Sequence, residues 1–151
     1  MLTADEFAGM ALVQQKCTPC HSTALFTDRS FRNSGVENNF RFDKGREEIT
    51  LNAADRGRFR VPTLRNLDYT APYMHDGSIA TLSEVIDHYA AGGRLISSGI
   101  NAGDGRANPY KSSFVRPFSL TAQEKQDLLE FLNTLTDQDF ITNPRFANPW
   151  E

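Results

Sequence analysis

Long apolar runs are missing from this chain: no stretch approaches the ~20 residues that a bilayer-spanning helix needs. The opening residues, Met1-Leu2-Thr3-Ala4-Asp5-Glu6, are acidic and lack the apolar segment of a secretory signal. Cysteine is nearly absent, with two in 151 residues. A finger-like zinc site would need two further ligands at regular spacing, and His75 and His88, with twelve residues between them, do not supply it. There is no internal repeat and no low-complexity linker, so the length implies about one domain. Hydrophobic residues make up only 39%, and the mean hydropathy of −0.48 describes a water-compatible chain with a modest core of its own. Nucleic-acid binding is disfavoured, because the basic residues are single arginines scattered among Gly and Phe without a recognition helix. The net charge of −3 hides a split: residues 29–65 carry nine Arg/Lys against five Asp/Glu, and residues 66–151 carry six against eleven. Such a basic stretch suits carboxylate groups or an acidic partner, or is an ordinary solvated surface.

Both cysteines fall in one motif, Cys17-Thr18-Pro19-Cys20-His21. C-x-x-C-H is the attachment signature of a c-type haem. The two thiols add across the vinyl groups, and the adjacent histidine becomes an axial ligand, so all three must reach one porphyrin from a single tight turn. A thioredoxin-like C-x-x-C would need a preceding strand and a βαβ frame, whereas Val13-Gln14-Gln15-Lys16 ends a helical pattern. A buried macrocycle also supplies the apolar mass that the composition lacks. Covalent haem is normally attached outside the bacterial cytoplasm, so the expected location is the periplasm. Without a signal segment, the chain is expected to be a mature form, a single domain or a fragment.

Three helices begin with the same device. Thr3-Ala4-Asp5-Glu6, Thr81-Leu82-Ser83-Glu84 and Thr121-Ala122-Gln123-Glu124 are T-x-x-E capping boxes. The first helix should run to about Gln15 with Phe7 and Ala11 on one side, delivering the haem motif at its end. The second should run from Leu82 to Ala91, stopped by Gly92-Gly93. The third should run from Ala122 to Leu135, burying Leu128, Phe131, Leu132 and Leu135. Between them, residues 22–80 and 94–119 are rich in Gly, Asn, Ser and Pro, as loops wrapped on a cofactor are. The tail from Asp139 to Glu151 reads as extended. The expected fold is therefore mostly α: one c-type cytochrome domain over residues 1–151, with three main helices and long loops around one covalent haem.

With His21 on one side of the iron, the occupant of the other axial position sets the function. Met74, His75, His88 and Tyr89 compete. Chemistry favours Met74, since His/Met ligation is common in electron transfer and raises the potential. Periodicity favours Tyr89, which shares the buried stripe of Leu82, Val85 and Ile86, while His88 lies off that stripe and reads as a surface residue. His75 reads as a structural or supporting histidine.

Phe59-Arg60-Val61-Pro62-Thr63-Leu64-Arg65-Asn66, Thr70-Ala71-Pro72-Tyr73-Met74-His75-Asp76-Gly77-Ser78 and Thr81-Leu82-x-Glu84-Val85 follow the motif in order. With the Leu120–Glu124 helix start and the Thr142–Phe146 tail, they resemble the C-terminal half of bacterial di-haem cytochrome c peroxidases and MauG-type enzymes over nearly the whole chain. The resemblance implies a second axial ligand fourteen residues after the histidine of the H-D-G motif, which is Tyr89, and a tyrosine there looks like the His/Tyr haem of MauG. It also implies a calcium ion held in part by the backbone carbonyls of Thr70 and Pro72. Arg60 and Arg65 are candidates for the haem propionates, because guanidinium matches carboxylate. A full di-haem enzyme carries a second C-x-x-C-H in an N-terminal domain with the peroxidatic haem, and this chain has one such motif. The implied role is an electron relay between that haem and a donor cytochrome, cupredoxin or protein substrate. The alternative is a stand-alone mono-haem peroxidase with an open or weakly ligated distal site.

Overall fold

The computed structural model describes residues 1–148 and Trp150. In chain order the elements are helix α1 (Ala4–Lys16), strand β1 (Phe31–Arg32), helix α2 (Glu47–Thr50), strand β2 (Phe59–Arg60), helix α3 (Leu82–Ala90), strands β3 (Leu95–Ile96) and β4 (Gly103–Asp104), and helices α4 (Ala122–Thr134) and α5 (Gln138–Thr142). Four single 3₁₀ turns complete the list. The strands form two antiparallel ribbons, β1 with β2 and β3 with β4, which pin long loops rather than build a sheet core.

All three capping boxes close in both directions. The Thr3, Thr81 and Thr121 hydroxyls accept from the Glu6, Glu84 and Glu124 amides, and each glutamate accepts from the threonine amide in return. The helix starts are thus set by side chains three residues apart. Five helices are present rather than three, since α2 and α5 are short additions inside tracts read as irregular. The tail is likewise not extended. Asp137 caps α5 by accepting from the Phe140 amide at 2.9 Å, and Asn143 caps a 3₁₀ turn by accepting from the Arg145 amide at 3.0 Å. Pro149 and Glu151, part of the expectation for that tail, lie outside the described residues.

The core forms where α1 crosses α4. Val13, Leu64, Ile86, Leu128, Phe131 and Leu132 are buried there, with Met10, Leu12, Cys17, Phe26 and Leu135 packed around them. Gly9 permits the crossing, because a methyl at that position would sit 2.0 Å from the Asp127 carbonyl oxygen. The buried face of α1 is Gly9 and Val13, and Phe7 is exposed. A second buried group holds the 31–60 tract: Val36 and Phe40 are almost wholly enclosed, and Asn33 is 0% exposed. Asn33 donates to the Arg56 carbonyl at 3.2 Å, and its side-chain oxygen accepts from the Gly35 amide at 2.9 Å. Loop backbone that cannot reach water is satisfied in this way. Among the described residues no helix is long and apolar enough to cross a membrane.

Candidate haem site

Helix α1 ends on the motif itself, with Cys17 as its C-cap donating to the Val13 carbonyl. The next residues form a closed turn, in which the Cys20 and His21 amides both donate to the Cys17 carbonyl, at 3.1 and 2.8 Å. Cys17, Cys20 and His21 therefore issue from one helical end, as attachment to one macrocycle requires. The loop that follows is tied back on it: the Asp28 amide donates to the Cys20 carbonyl at 2.8 Å. Asp28 in turn accepts from Ser30 and from Arg32, the latter at 2.9 Å. Burial would raise the Asp28 carboxyl, but those hydrogen bonds outweigh it and hold the group at about 2.

His21 is half-buried, and its Nδ1 donates to the Phe26 carbonyl at 3.0 Å. The Pro62 carbonyl is a second backbone partner of the ring, and supporting carbonyls of this kind orient a ligating histidine. Burial holds its pKa below the ordinary range. Burial pushes the Cys17 thiol up to about 11 and raises Cys20 as well. A redox C-x-x-C works through depressed thiolate values in an electropositive setting, so this pair has the wrong electrostatics for disulfide exchange.

Tyr89 lies on α3, half-buried, one turn beyond Ile86. Burial, with the nearby Cys20 and Cys17 adding to it, pushes its phenol up to about 12. Both thiols are close enough to act on it, which puts Tyr89 in the neighbourhood of the motif. Its hydroxyl makes no hydrogen bond to another described residue, and it keeps some contact with solvent, since it is not one of the buried side-chain atoms left without a partner. His21 and Tyr89 thus both lie near the two cysteines, and these residues would fit a haem c.

The other candidates are placed differently. His75 is enclosed: its ring stacks on Phe59 at 3.9 Å and 16°, and Nε2 lies 3.4 Å from Glu37 Oε1, with both side chains under a tenth exposed. That supporting role agrees with the reading from the sequence, but Glu37 was not foreseen. Nothing in its local spacing marks it, since its partner is 38 residues away. His88 corrects the sequence reading: it is 5% exposed, not a surface residue, and its Nε2 donates to the Ser34 carbonyl at 3.0 Å. Met74 is half-buried with φ +72°, in left-handed backbone.

Arg60 is exposed on β2, while Arg65 lies 3.7 Å from Asp137. Arg65 lines a cavity of about 540 Å³ bounded by Ala24, Phe26 and the α4–α5 junction, which neither cysteine nor Tyr89 touches. Much of the basic stretch is neutralised internally, through Arg32–Asp28, Arg46–Asp55, Arg56–Glu47 and Arg58–Asp55. Thr70 and Pro72 are exposed, and neither carbonyl accepts a backbone N–H among the described residues.

A helix-ending C-x-x-C-H, a carbonyl-bonded histidine and a half-buried tyrosine nearby would fit a c-type haem. No family model matches the chain. Relatives do. The methylamine utilization protein MauG of Methylorubrum extorquens is 37% identical over 134 residues, covering 87% of this chain and 35% of that protein. The cytochrome-c peroxidase IdrP1 of Denitromonas iodatirespirans is 34% identical over 166 aligned positions, covering 89% and 41%. A solved MauG-like protein associated with microbial copper homeostasis superposes over 100% of this chain and 52% of its own, with a TM-score of 0.93 and 45% identity. The chain belongs to the MauG and cytochrome c peroxidase family and corresponds to one part of its members. It spans about two fifths or less of the length of the two curated relatives above.

Proposed function

We propose that this chain is a haem c electron-transfer unit, relaying electrons between a donor or remote substrate and a peroxidatic haem carried elsewhere in such a protein. The observation that supports this reading is the helix-ending Cys17–Cys20–His21 turn, with His21 held by the Phe26 carbonyl and Tyr89 near the same two cysteines. When bound, haem c supplies a one-electron couple. Cys17 and Cys20 hold it by thioethers, and the α1 C-terminus fixes their separation. His21 would supply a nitrogen ligand to the iron and Tyr89 an oxygen ligand. Burial disfavours the charged form of the Tyr89 phenol. An anionic oxygen donor favours the ferric over the ferrous charge, the reverse of a thioether. With both ligands drawn from the chain, the unit would pass electrons rather than take substrate at its own iron.

The Thr70 and Pro72 carbonyls suit a hard cation, and we assign them to a calcium site completed by groups outside this chain. The remaining partners are the domain bearing the peroxidatic haem and an electron-donor cytochrome, cupredoxin or protein substrate, in the bacterial periplasm. Low-temperature EPR of the ferric protein with near-infrared magnetic circular dichroism tests the assignment. A low-spin signal with an oxygen-donor signature is expected. A sulfur-to-iron band would move the ligand to Met74 and indicate a higher-potential carrier, and a high-spin signal would indicate a stand-alone peroxidase instead.

A further inference from the structure

Helix α3 buries two side chains, Ile86 and His88. Ile86 joins the common core. His88 is the opposite case: an imidazole enclosed among loops, with Nε2 donating to Ser34 and Nδ1 buried without a partner. An apolar side chain at this position would fill the space with no orphaned nitrogen. The histidine leaves one polar atom unsatisfied, and the bond to Ser34 is what it gains. That bond is directional, and packing alone is not.

Its acceptor is held rigidly. Ser34 lies between Asn33, which is fully enclosed and bonded to the Arg56 carbonyl, and Gly35, whose carbonyl accepts from the Arg94 amide at 2.9 Å. The Ser112 amide donates to the Asn33 carbonyl at 2.9 Å. Gly105 packs so closely there that a methyl on it would lie 2.2 Å from the Gly35 oxygen. The His88 carbonyl is fixed as well, accepting from the Gly93 amide at 3.0 Å where the chain turns out of the helix.

Adjacent helical residues project about 100° apart, so rolling α3 enough to carry Tyr89 off its direction must also swing His88 away from Ser34. The two rings are already seated edge to face, 5.1 Å between centroids and 80° apart. We infer that His88 is a positioning residue: its Nε2 bond to the Ser34 carbonyl locks the rotation of α3 and thereby aims the Tyr89 oxygen at the haem site. This rests on the reading of Tyr89 as an axial ligand.

The test uses the haem-loaded, full-length protein and compares His88→Leu, His88→Gln and Tyr89→Phe by ferric EPR, with circular dichroism as the folding control. Losing one buried hydrogen bond should lower the low-spin to high-spin ratio about tenfold in His88→Leu. His88→Gln, whose amide can donate to the same carbonyl, should restore most of it at unchanged helix content. If His88→Leu does not fold, His88→Asn, polar but too short to reach Ser34, is compared with His88→Gln for the same difference. A wild-type spectrum in His88→Leu, or in His88→Asn, beside an altered one in Tyr89→Phe overturns the positioning role alone. A wild-type spectrum in Tyr89→Phe overturns the ligation reading and this inference together.

Discussion

Replacing Gly9 with alanine should destabilise the protein, although helix propensity alone argues the reverse. In an isolated helix the change is favourable by about 1 kcal/mol. Here the added methyl would lie 2.0 Å from the Asp127 carbonyl oxygen, 2.6 Å from its carbon and 2.8 Å from Phe131 Cβ. Two of those three neighbours are helix backbone, which no rotamer change can move. The α1 and α4 axes must therefore separate, loosening Val13 against Leu128, Phe131 and Leu132. Overpacking of this kind costs about 1–3 kcal/mol where side chains can adjust, and the rigid backbone puts Gly9→Ala at the upper end. After subtracting the propensity gain, a net loss of about 2 kcal/mol remains, or roughly 4–8 °C in Tm for a chain of this length. Thermal melts of the haem-loaded protein followed at 222 nm read this directly, with Gln14→Ala on the exposed face of α1 as the control. A Tm for Gly9→Ala equal to or above wild type would refute the close-crossing argument.

Tyr89→Met should introduce a sulfur-to-iron charge-transfer band and raise the reduction potential by more than the ~59 mV that a tenfold change in ferric against ferrous stabilisation represents; an unchanged potential would remove Tyr89 from the iron. Asp28 has a folded-state pKa of about 2, below its ordinary value of 3.8, so its stabilisation is complete above pH 4 and is lost as the pH falls towards 2. The Tm gap between wild type and Asp28→Asn should accordingly shrink across that interval, and a gap independent of pH would show that the hydrogen bonds to Arg32 and Ser30 contribute nothing. Phe131→Ala removes a ring that is 4% exposed and edge-on to Phe26 at 6.3 Å. It should cost about 3–5 kcal/mol in denaturant unfolding, and a loss below 1 kcal/mol would place the core elsewhere.

What the sequence disclosed was written in short separations. The capping boxes join residues three apart, and the haem motif needs only a single turn, so α1, α3, α4 and the Cys17–Cys20–His21 group could be read directly. His88 could not. Its partner Ser34 is 54 residues away, and a polar residue off an apolar stripe reads as solvated until a distant loop is known to cover it. Glu37 was silent for the same reason, since its neighbour His75 comes from another tract. The buried face of α1 was not legible either: the close approach at Gly9 sets which face turns towards α4, and Phe7 is left exposed. In the tail, the two Asn-Pro pairs suggested extended chain, and the Asp137 and Asn143 caps that start α5 and the turn after it went unrecognised. Tyr89 fell between these cases. Helical period gave its face, but its proximity to the cysteines comes from tertiary packing.

The three reciprocal caps bear on how such a protein is assembled. Each closes a loop of four residues, so it carries almost none of the chain-entropy cost that delays distant contacts. Helices α1, α3 and α4 can therefore choose their starting points while the long loops are still unsettled. The cysteines sit at the opposite, C-terminal end of α1, just past its last intrahelical bonds. A nascent chain thus offers both thiols from the fraying end of a helix whose other end is already fixed, within reach of an attachment enzyme. Maturation can then precede the α1–α4 crossing and the closure of α3 over the site, without first undoing either.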